Sequence, residues 1–257
     1  MDIHIGSSSY LSRNLRKLDK VVTVSSKKKS TYNYKNFNLK DINKLKLNYV
    51  FVFLGKNFKN RNTKQSKLIN YGLPLKFLKK FLKTKKKFKF FFFGSFSQND
   101  KFHGNNRDYI LQKSRLRREI INLSKKNKNF EYIWLYLPNI YGTGQNNGFL
   151  ISNLLSSMKQ NRSIKIENGL KKIYLLNVKD FVKMINYLKI NWNKYKNKSL
   201  NSIYEGPYLL SEILKKINKK YLNQNIEINF KNLNEKKINT KIDINIKNKF
   251  LMFLKNA

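Results

Sequence analysis

Cysteine is absent from the 257 residues, and glycine and proline are scarce, with 10 and 3 copies. Without cysteine the chain has neither disulfides nor thiolate metal sites. The two histidines, His4 and His103, are too few for a histidine-rich metal centre, so we predict no bound metal. No signal peptide is recognisable at the start, and the longest apolar run, residues 88–96, is too short to cross a bilayer. We therefore expect a cytoplasmic protein with no membrane partner.

Acidic residues are also scarce, since 14 Asp and Glu face 55 Lys and Arg and the formal net charge is +41. Such a charge is typical of nucleic-acid-binding proteins. Only eight of the basic residues are arginine, however, whereas selection for phosphate or base contacts favours the bidentate guanidinium. The abundant Lys, Asn, Ile and Phe share A/T-rich codons, which indicates genome drift. We interpret the dispersed lysines as a solvated surface and expect no nucleic-acid partner; a basic nucleic-acid-binding protein is the least favoured alternative.

Apolar runs and helical periodicity alternate along the first half of the chain. Strands are predicted at residues 3–5, 20–24, 49–54, 88–93 and 131–137, and helices at 73–82 and 108–125. The nearly continuous apolar runs are typical of parallel strands that are buried on both faces. The alternation predicts an α/β fold, a Rossmann-like doubly wound parallel sheet.

The pattern changes after Tyr141, where a loop rich in turn-forming residues covers residues 142–148. A helix is predicted at residues 149–158, strands at 164–166 and 173–178, and a helix at 180–188. No Pro/Gly/Ser-rich linker separates two independent domains. We predict a main domain at residues 1–145, to which the chain returns around 168–190, and a smaller C-terminal lobe at 146–257.

The first strand is followed by a turn that starts at Gly6 and contains serines at positions 7, 8, 9 and 12. A dinucleotide places its pyrophosphate where a helix begins, because unpaired N–H groups and the helix dipole favour anions there. The order is similar to the glycine fingerprint G-x-x-G-x-[IL]-G, with Ser9 and Ser12 in the second and third glycine places. A serine cluster that only caps a helix is an equally open reading.

The second predicted strand ends in Ser25-Ser26-Lys27, without a carboxylate. Enzymes that use NAD usually place an acidic residue here, where it binds the adenosine ribose hydroxyls. Hydroxyl and ammonium groups suit a 2′-phosphate instead, so the segment favours NADP. A lysine-rich loop of a lysine-rich protein is the alternative.

Tyr109 and Lys113 form a Y-x-x-x-K pattern within the predicted helix 108–125. The i,i+4 spacing places both side chains on one helix face, which Leu116 and Ile120 continue. An ammonium group beside a tyrosine stabilises the phenolate, so we expect a lowered pKa for Tyr109 and a role as acid or base. The alternative is an ordinary amphipathic helix with Tyr and Lys at its edge.

These motifs together resemble the extended short-chain dehydrogenase/reductase family, which includes nucleotide-sugar epimerases and reductases. Further segments agree in order with strand ends and turns of that family over about residues 1–215. They are residues 53–55, 70–72, 137–145 and 177–182. The resemblance implies an NAD(P)-binding role for the main domain and a substrate-binding role for the smaller lobe.

The resemblance also implies a catalytic site of Ser95, Tyr109 and Lys113, with Ser97 in reserve for Ser95. In the family the tyrosine moves the proton of the substrate hydroxyl, while the lysine binds the nicotinamide ribose and lowers the tyrosine pKa. The implied cofactor, NADP or NAD, supplies the hydride chemistry. Its expected binding residues are Gly6, Ser9, Tyr10, Leu11, Ser25, Ser26, Lys27, Leu54, Gly55, Asn70, Tyr109, Lys113 and Pro138. The expected substrate-binding residues are Ser97, Asn139 and Lys172.

Some family features are missing. Tyr136 and Ile173 stand where the family has arginines, and the interval from Ser95 to Tyr109 is shorter than usual. Lysines near Ile173 offer only point charges where arginine would clamp a diphosphate. The sequence therefore predicts an NAD(P)-dependent epimerase or reductase of a nucleotide-activated sugar, with a homodimer left open. The main alternative is a non-catalytic dinucleotide-binding or scaffold protein of the same fold.

Overall fold

The computed structural model describes residues 1–17, 20–56, 63–84, 86–99, 107–146, 148–160, 162, 164–166, 169–221 and 226–228, so His103 lies outside the described residues. The chain forms two compact units, residues 1–136 with 186–201 and residues 137–185 with 202–257. The assignment of cofactor binding to residues 1–145 and of substrate binding to 146–257 stays a prediction. Among the described helices, none is both long and apolar enough to span a membrane.

The strands, numbered along the chain, are β1 (Asp2–Ile5), β2 (Val21–Ser25), β3 (Tyr32–Asn33), β4 (Tyr49–Val52), β5 (Phe88–Ser95), β6 (Phe130–Leu137), β7 (Asn139–Tyr141), β8 (Ile164–Ile166), β9 (Lys172–Asn177), β10 (Lys198–Asn201), β11 (Glu205–Leu209) and β12 (Ile226–Ile228). The helices are α1 (Tyr10–Leu15), α2 (Leu39–Lys44), α3 (Thr63–Lys67), α4 (Leu73–Leu82), α5 (Arg107–Lys126), α6 (Leu150–Lys159), α7 (Val178–Ile190), α8 (Trp192–Tyr195) and α9 (Leu210–Tyr221). A π-helical turn (Leu68–Gly72) joins α3 to α4, and a 3₁₀ turn (Phe96–Asn99) follows β5.

The first unit contains a seven-stranded parallel sheet with the order β3-β2-β1-β4-β5-β6-β10. The chain winds outward from β1 in one direction as far as β3 and then returns beside β1 to build the other half. The strand order therefore reverses between β1 and β4, and ligands of such sheets bind in the crevice outside the carboxyl ends of the strands at that point. The Rossmann-like doubly wound sheet expected from the sequence is confirmed.

Phenylalanine rings join the two central strands β4 and β5. Phe51 stacks on Phe91 with centroids 4.8 Å apart, and Phe53 stacks on Phe93 at 4.9 Å. The imidazole of His4 stands edge-on to Phe51 at 5.0 Å and to Phe53 at 5.1 Å. Because all of these rings are buried, the continuous apolar runs of the sequence form the middle of the sheet.

The structure differs from the sequence-based elements mainly at their ends. Strand β4 stops at Val52, two residues before the predicted end. The Phe53 N–H nevertheless donates to the Ile5 carbonyl at 2.8 Å. Helix α5 begins at Arg107. The elements without a sequence prediction are α2, α3, α8, α9, β3, β7, β10, β11 and β12. Most of them are short and polar, so their periodicity is weak.

The second unit has a three-stranded sheet with the order β11-β9-β7, in which β9 pairs parallel with β7 and antiparallel with β11. Helices α6 and α9 supply apolar side chains to its core, among them Leu154 and Leu214. The buried Tyr141 hydroxyl donates to Glu205 Oε1 at 2.6 Å and so connects the end of β7 with the start of β11. A separate parallel pair, β8 with β12, belongs to the same unit.

Truncation of Phe91 should destabilise the first unit. The side chain is fully buried and stacked on Phe51, so Phe91→Ala loses apolar burial and leaves a cavity. We expect the free energy of unfolding, measured by urea denaturation, to fall by about 3–5 kcal/mol. The control Ile190→Ala removes a side chain that is 84% exposed and should change it by less than about 0.5 kcal/mol. Equal effects of the two substitutions would contradict the packing described.

Candidate functional site

Gly6 makes the turn that leaves β1. Its φ of +86° lies in the left-handed region, and its N–H donates to the Val24 carbonyl at 2.9 Å. A Cβ at this position would stand 3.0 Å from the carbonyl carbon of Phe53. Because both the dihedral angle and the space exclude a side chain, only glycine lets the turn lie against the exit of β4.

The two serines in the glycine places have internal partners. Ser9 is the N-cap of α1, and its Oγ accepts the Ser12 N–H at 3.2 Å. The buried Ser12 hydroxyl forms a 2.8 Å hydrogen bond with Nδ1 of His4 in β1. Tyr10 and Leu11 are the first residues of α1, and burial raises the pKa of Tyr10 to about 12. Ser9 thus caps α1 and Ser12 fastens this helix to β1, where the fingerprint would place glycines for close packing.

Serine hydroxyls also connect the Gly6 turn with the end of β2. Ser25 Oγ is hydrogen-bonded to Ser30 Oγ, which lies 3.4 Å from Ser7 Oγ. The Lys27 N–H donates to Ser25 Oγ at 3.0 Å, while the side chains of Ser26 and Lys27 are exposed. No local pattern identifies Ser30, because its partners lie five and 23 positions away along the chain.

Lys113 lies at the exits of β4 and β5. It is 3% exposed, and its Nζ donates to the carbonyl of Leu54 at 2.7 Å and to that of Phe93 at 2.9 Å. A Cβ on Gly55 would stand 2.9 Å from the same Nζ. The lysine therefore fills the space next to Gly55 and ties α5 to the ends of two neighbouring strands.

Asn70 holds the same exit of β4 from the other side. Its Oδ1 accepts the Lys56 N–H at 2.7 Å, and its Nδ2 donates to the Lys56 carbonyl at 2.9 Å and to Ser66 Oγ at 3.0 Å. Asn70, an expected cofactor-binding residue, lies inside the π-helical turn between α3 and α4. Single π turns occur frequently at functional sites.

Tyr109 precedes Lys113 by one helical turn on α5, and its ring centroid lies 5.9 Å from Lys113 Nζ. Burial raises the pKa of Tyr109 to about 12 and lowers that of Lys113 to about 7. The expected downward shift of the tyrosine pKa is therefore wrong. Loss of water around both groups outweighs their mutual attraction, because desolvation penalises the charged form of each.

Ser95 ends β5, and its Oγ accepts the Ser97 N–H at 3.2 Å. The Ser95 N–H donates to Gln98 Oε1 at 2.9 Å, and Gln98 Nε2 donates to Ser114 Oγ at 3.1 Å. Gln98 and Ser114 were not singled out in the sequence. No spacing rule identifies them, because they are 16 residues apart and lie on different elements.

Pro138, Asn139 and Lys172 belong to the second unit. Pro138 lies between β6 and β7, and Asn139 begins β7, where its Nδ2 donates to the Tyr174 carbonyl at 3.4 Å. Lys172 is the first residue of β9, and its side chain is exposed. All other candidate residues lie in the first unit, where Gly6, Ser25, Leu54 and Ser95 stand at the carboxyl ends of β1, β2, β4 and β5.

The model of the NAD dependent epimerase/dehydratase family matches residues 8–198. No curated protein sequence matches the chain.

Solved structures with similar folds include several epimerases. A UDP-N-acetylglucosamine 4-epimerase from Methanobrevibacter ruminantium M1, in complex with UDP-N-acetylmuramic acid, superposes with a TM-score of 0.76 at 14% identity, over 98% of this chain and 95% of that one. A UDP-glucose 4-epimerase from Thermotoga maritima with UDP-glucose gives 0.72 at 16%, over 90% and 86%. RMD from Pseudomonas aeruginosa, complexed with NADPH, gives 0.68 at 13%, over 89% and 86%. At these identities the similarity establishes the fold.

The buried Lys113 should make stability depend on pH. Its pKa is about 7 in the folded chain and 10.5 for a free lysine, so between these values only the unfolded chain holds the proton. The wild type therefore gains up to about 1.4 kcal/mol of stability per pH unit as the pH rises from 7 to 10. Lys113→Met lacks this gain, so the unfolding free energy of the variant relative to wild type should fall over that window.

Urea denaturation of both proteins at several pH values measures this difference. Lys27→Met, which removes an exposed ammonium, is the matched control and should give a difference that is nearly independent of pH. A flat difference for Lys113→Met as well would show that the ammonium is not desolvated.

Proposed function

The chain belongs to the NAD dependent epimerase/dehydratase family, and from this membership we propose that it is an NAD(P)-dependent epimerase or reductase of nucleotide-activated sugars. The proposed catalytic residues are Ser95, Tyr109 and Lys113, all in the first unit. The observation that carries the proposal is the buried ammonium of Lys113 at the carboxyl edge of a parallel sheet, one helical turn from Tyr109.

The residues at this edge fit a nicotinamide dinucleotide. Neither Gly6 nor Gly55 has room for a side chain, so the chain beside the switch between β1 and β4 is bare backbone, which is buried at Gly6 and exposed at Gly55. Two of the three N–H groups of Lys113 bond to carbonyls among the described residues, which leaves a third for a ribose hydroxyl. Ser25, Ser26 and Lys27 would hold the adenosine end, and the cofactor would accept or donate a hydride.

Tyr109 would hold or release the proton of the reacting substrate hydroxyl. With a pKa of about 12 the phenol is protonated at neutral pH, so it can donate to a substrate oxygen. A protonated Lys113 near the ring would stabilise the phenolate that remains. The Ser95 hydroxyl would bind the same substrate oxygen and orient it.

Nucleotide-activated sugars are proposed as the substrates. The support is the similarity in fold to epimerases that were solved with UDP-sugars. In the second unit, Asn139 at the start of β7 and Lys172 at the start of β9 are the proposed contacts. Exposed amide and ammonium groups suit the acceptor-rich diphosphate of such a substrate.

NADP should bind more tightly than NAD. Lys27 is exposed beside the end of β2, with no carboxylate in the segment, and would pair with a 2′-phosphate. Lys27→Glu should weaken NADP binding about tenfold, equal to about 1.4 kcal/mol, and leave NAD binding nearly unchanged. Calorimetric titration of both cofactors measures this. Lys20→Glu, at the amino end of β2, is the control, and tighter NAD binding by the wild type would refute the preference.

Tyr109→Phe should remove nearly all turnover, by a factor of about 10³ or more, because the variant loses the group that transfers the proton. Epimerase activity is measured as the conversion of UDP-glucose or UDP-N-acetylglucosamine to its 4-epimer in the presence of NAD. Reductase activity is measured as the oxidation of NADPH in the presence of a 4-keto nucleotide sugar. Tyr187→Phe, on α7, is the matched control and should keep full activity.

Cofactor titration separates loss of chemistry from loss of fold. Tyr109→Phe should bind NADP nearly as well as wild type. If the wild type binds the cofactor but turns over no nucleotide sugar, the non-catalytic dinucleotide-binding function is favoured instead.

A further inference from the structure

The side chain of Gln98 joins the Ser95 turn to helix α5. Its Oε1 accepts the backbone N–H of Ser95 at 2.9 Å, and its Nε2 donates to Ser114 Oγ at 3.1 Å. Gln98 lies in the 3₁₀ turn directly after β5, and Ser114 follows Lys113 on α5. One amide therefore connects the element that carries the candidate serine with the helix that carries Tyr109 and Lys113.

The space for this amide depends on Gly94. A Cβ on Gly94 would collide with Gln98 Oε1 and would stand 2.5 Å from Nε1 of Trp134. The Trp134 side chain is fully buried, so it cannot move aside without opening the core. The absence of a side chain at Gly94 thus allows the amide of Gln98 to lie beneath Ser95, between the strand end and α5.

A second bridge joins the same two elements. Lys113 Nζ donates to the carbonyl of Phe93, two residues before Ser95. With a single bridge, the end of β5 could rotate relative to α5 about that one contact. Two bridges at neighbouring positions, Phe93–Lys113 and Ser95–Gln98–Ser114, restrict that rotation. The Ser97 N–H, which donates to Ser95 Oγ, adds a local restraint on the serine hydroxyl itself.

We propose that Gln98 is a positioning residue that fixes the Ser95 hydroxyl relative to Tyr109, so that both can reach one substrate oxygen. This inference rests on the proposed function. The interval from Ser95 to Tyr109 is shorter than usual in the family, but the Gln98 amide joins their two elements by hydrogen bonds. The relative position of the two side chains therefore does not depend on the length of the connecting segment alone. Gln98 acts through its hydrogen bonds to the Ser95 N–H and the Ser114 hydroxyl, so its loss should affect the chemical step more than the binding of either ligand.

Substitutions of similar size separate the hydrogen bonds from packing. Gln98→Met keeps the volume but makes neither bond, and we expect kcat to fall about 100-fold, as for a misplacement of about 1 Å. The KM for the nucleotide sugar and the Kd for NADP should stay within about twofold of wild type. Gln98→Glu should restore most of the activity, since its carboxylate can accept from both the Ser95 N–H and the Ser114 hydroxyl.

Two further variants test the geometry from its other sides. Gly94→Ala should displace the Gln98 amide and reproduce the loss in kcat, and Ser114→Ala should produce part of it. Gln160→Met, at the end of α6, is the matched control: it removes an exposed amide whose Nε2 donates to Ser156 Oγ at 3.3 Å, and it should behave as wild type. Equal kcat values for Gln98→Met and wild type would overturn the inference, as would equal losses for Gln98→Met and Gln98→Glu.

Amide hydrogen exchange gives a readout that does not depend on activity. The Ser95 amide should exchange at least about tenfold faster in Gln98→Met than in wild type, whereas the Gln98→Glu variant should keep its protection. Unchanged exchange in Gln98→Met overturns the bridge whatever the enzyme does. If the wild type has no turnover and the Ser95 amide still exchanges faster in Gln98→Met, the bridge is supported. The proposed function and the positioning role of Gln98 in catalysis are then overturned.

Discussion

The candidate site depends on the buried ammonium group of Lys113 and the two carbonyls that accept its hydrogen bonds. A buried cation is tolerated only with such partners, so the exits of β4 and β5 and the helix α5 stabilise one another. These bonds also hold Lys113 Nζ beside Gly55, where a Cβ would come within 2.9 Å of the ammonium nitrogen. Burial gives Lys113 a pKa of about 7, so its charge is adjustable near neutral pH.

The relative position of the two carbonyls depends on stacked phenylalanine rings that join β4 and β5. Phe51 and Phe91 stack with nearly parallel rings, 2° apart, and Phe53 with Phe93 repeats the arrangement one step closer to the site. These pairs hold β4 and β5 in register, and the two accepting carbonyls belong to Phe93 itself and to Leu54, which follows Phe53. Tight packing in the core thus fixes the positions of the carbonyls at the edge of the sheet.

Serine performs several tasks that glycine performs in the fingerprint which this chain resembles. Ser12 uses its hydroxyl to bond His4, so a larger residue is accommodated between α1 and β1 through a hydrogen bond. The hydroxyls of Ser7, Ser25 and Ser30 connect the first turn with the end of β2. The departures from the fingerprint are therefore compatible with a closely packed Rossmann sheet. Gly6 itself remains glycine, because its dihedral angle and its contact with Phe53 admit no side chain.

The sequence by itself determined the parallel sheet and the shared helix face of Tyr109 and Lys113, because both follow from local periodicity and apolar runs. The family resemblance drawn from its motifs was correct as well. Tertiary structure alone decided the partners of Lys113, the bridge through Gln98, and the placement of Asn70 within a π turn. It also reversed the expected pKa shift of Tyr109. These features arise from burial and from contacts between residues distant along the chain, and desolvation in particular depends on which atoms replace water, a quantity that no local pattern encodes.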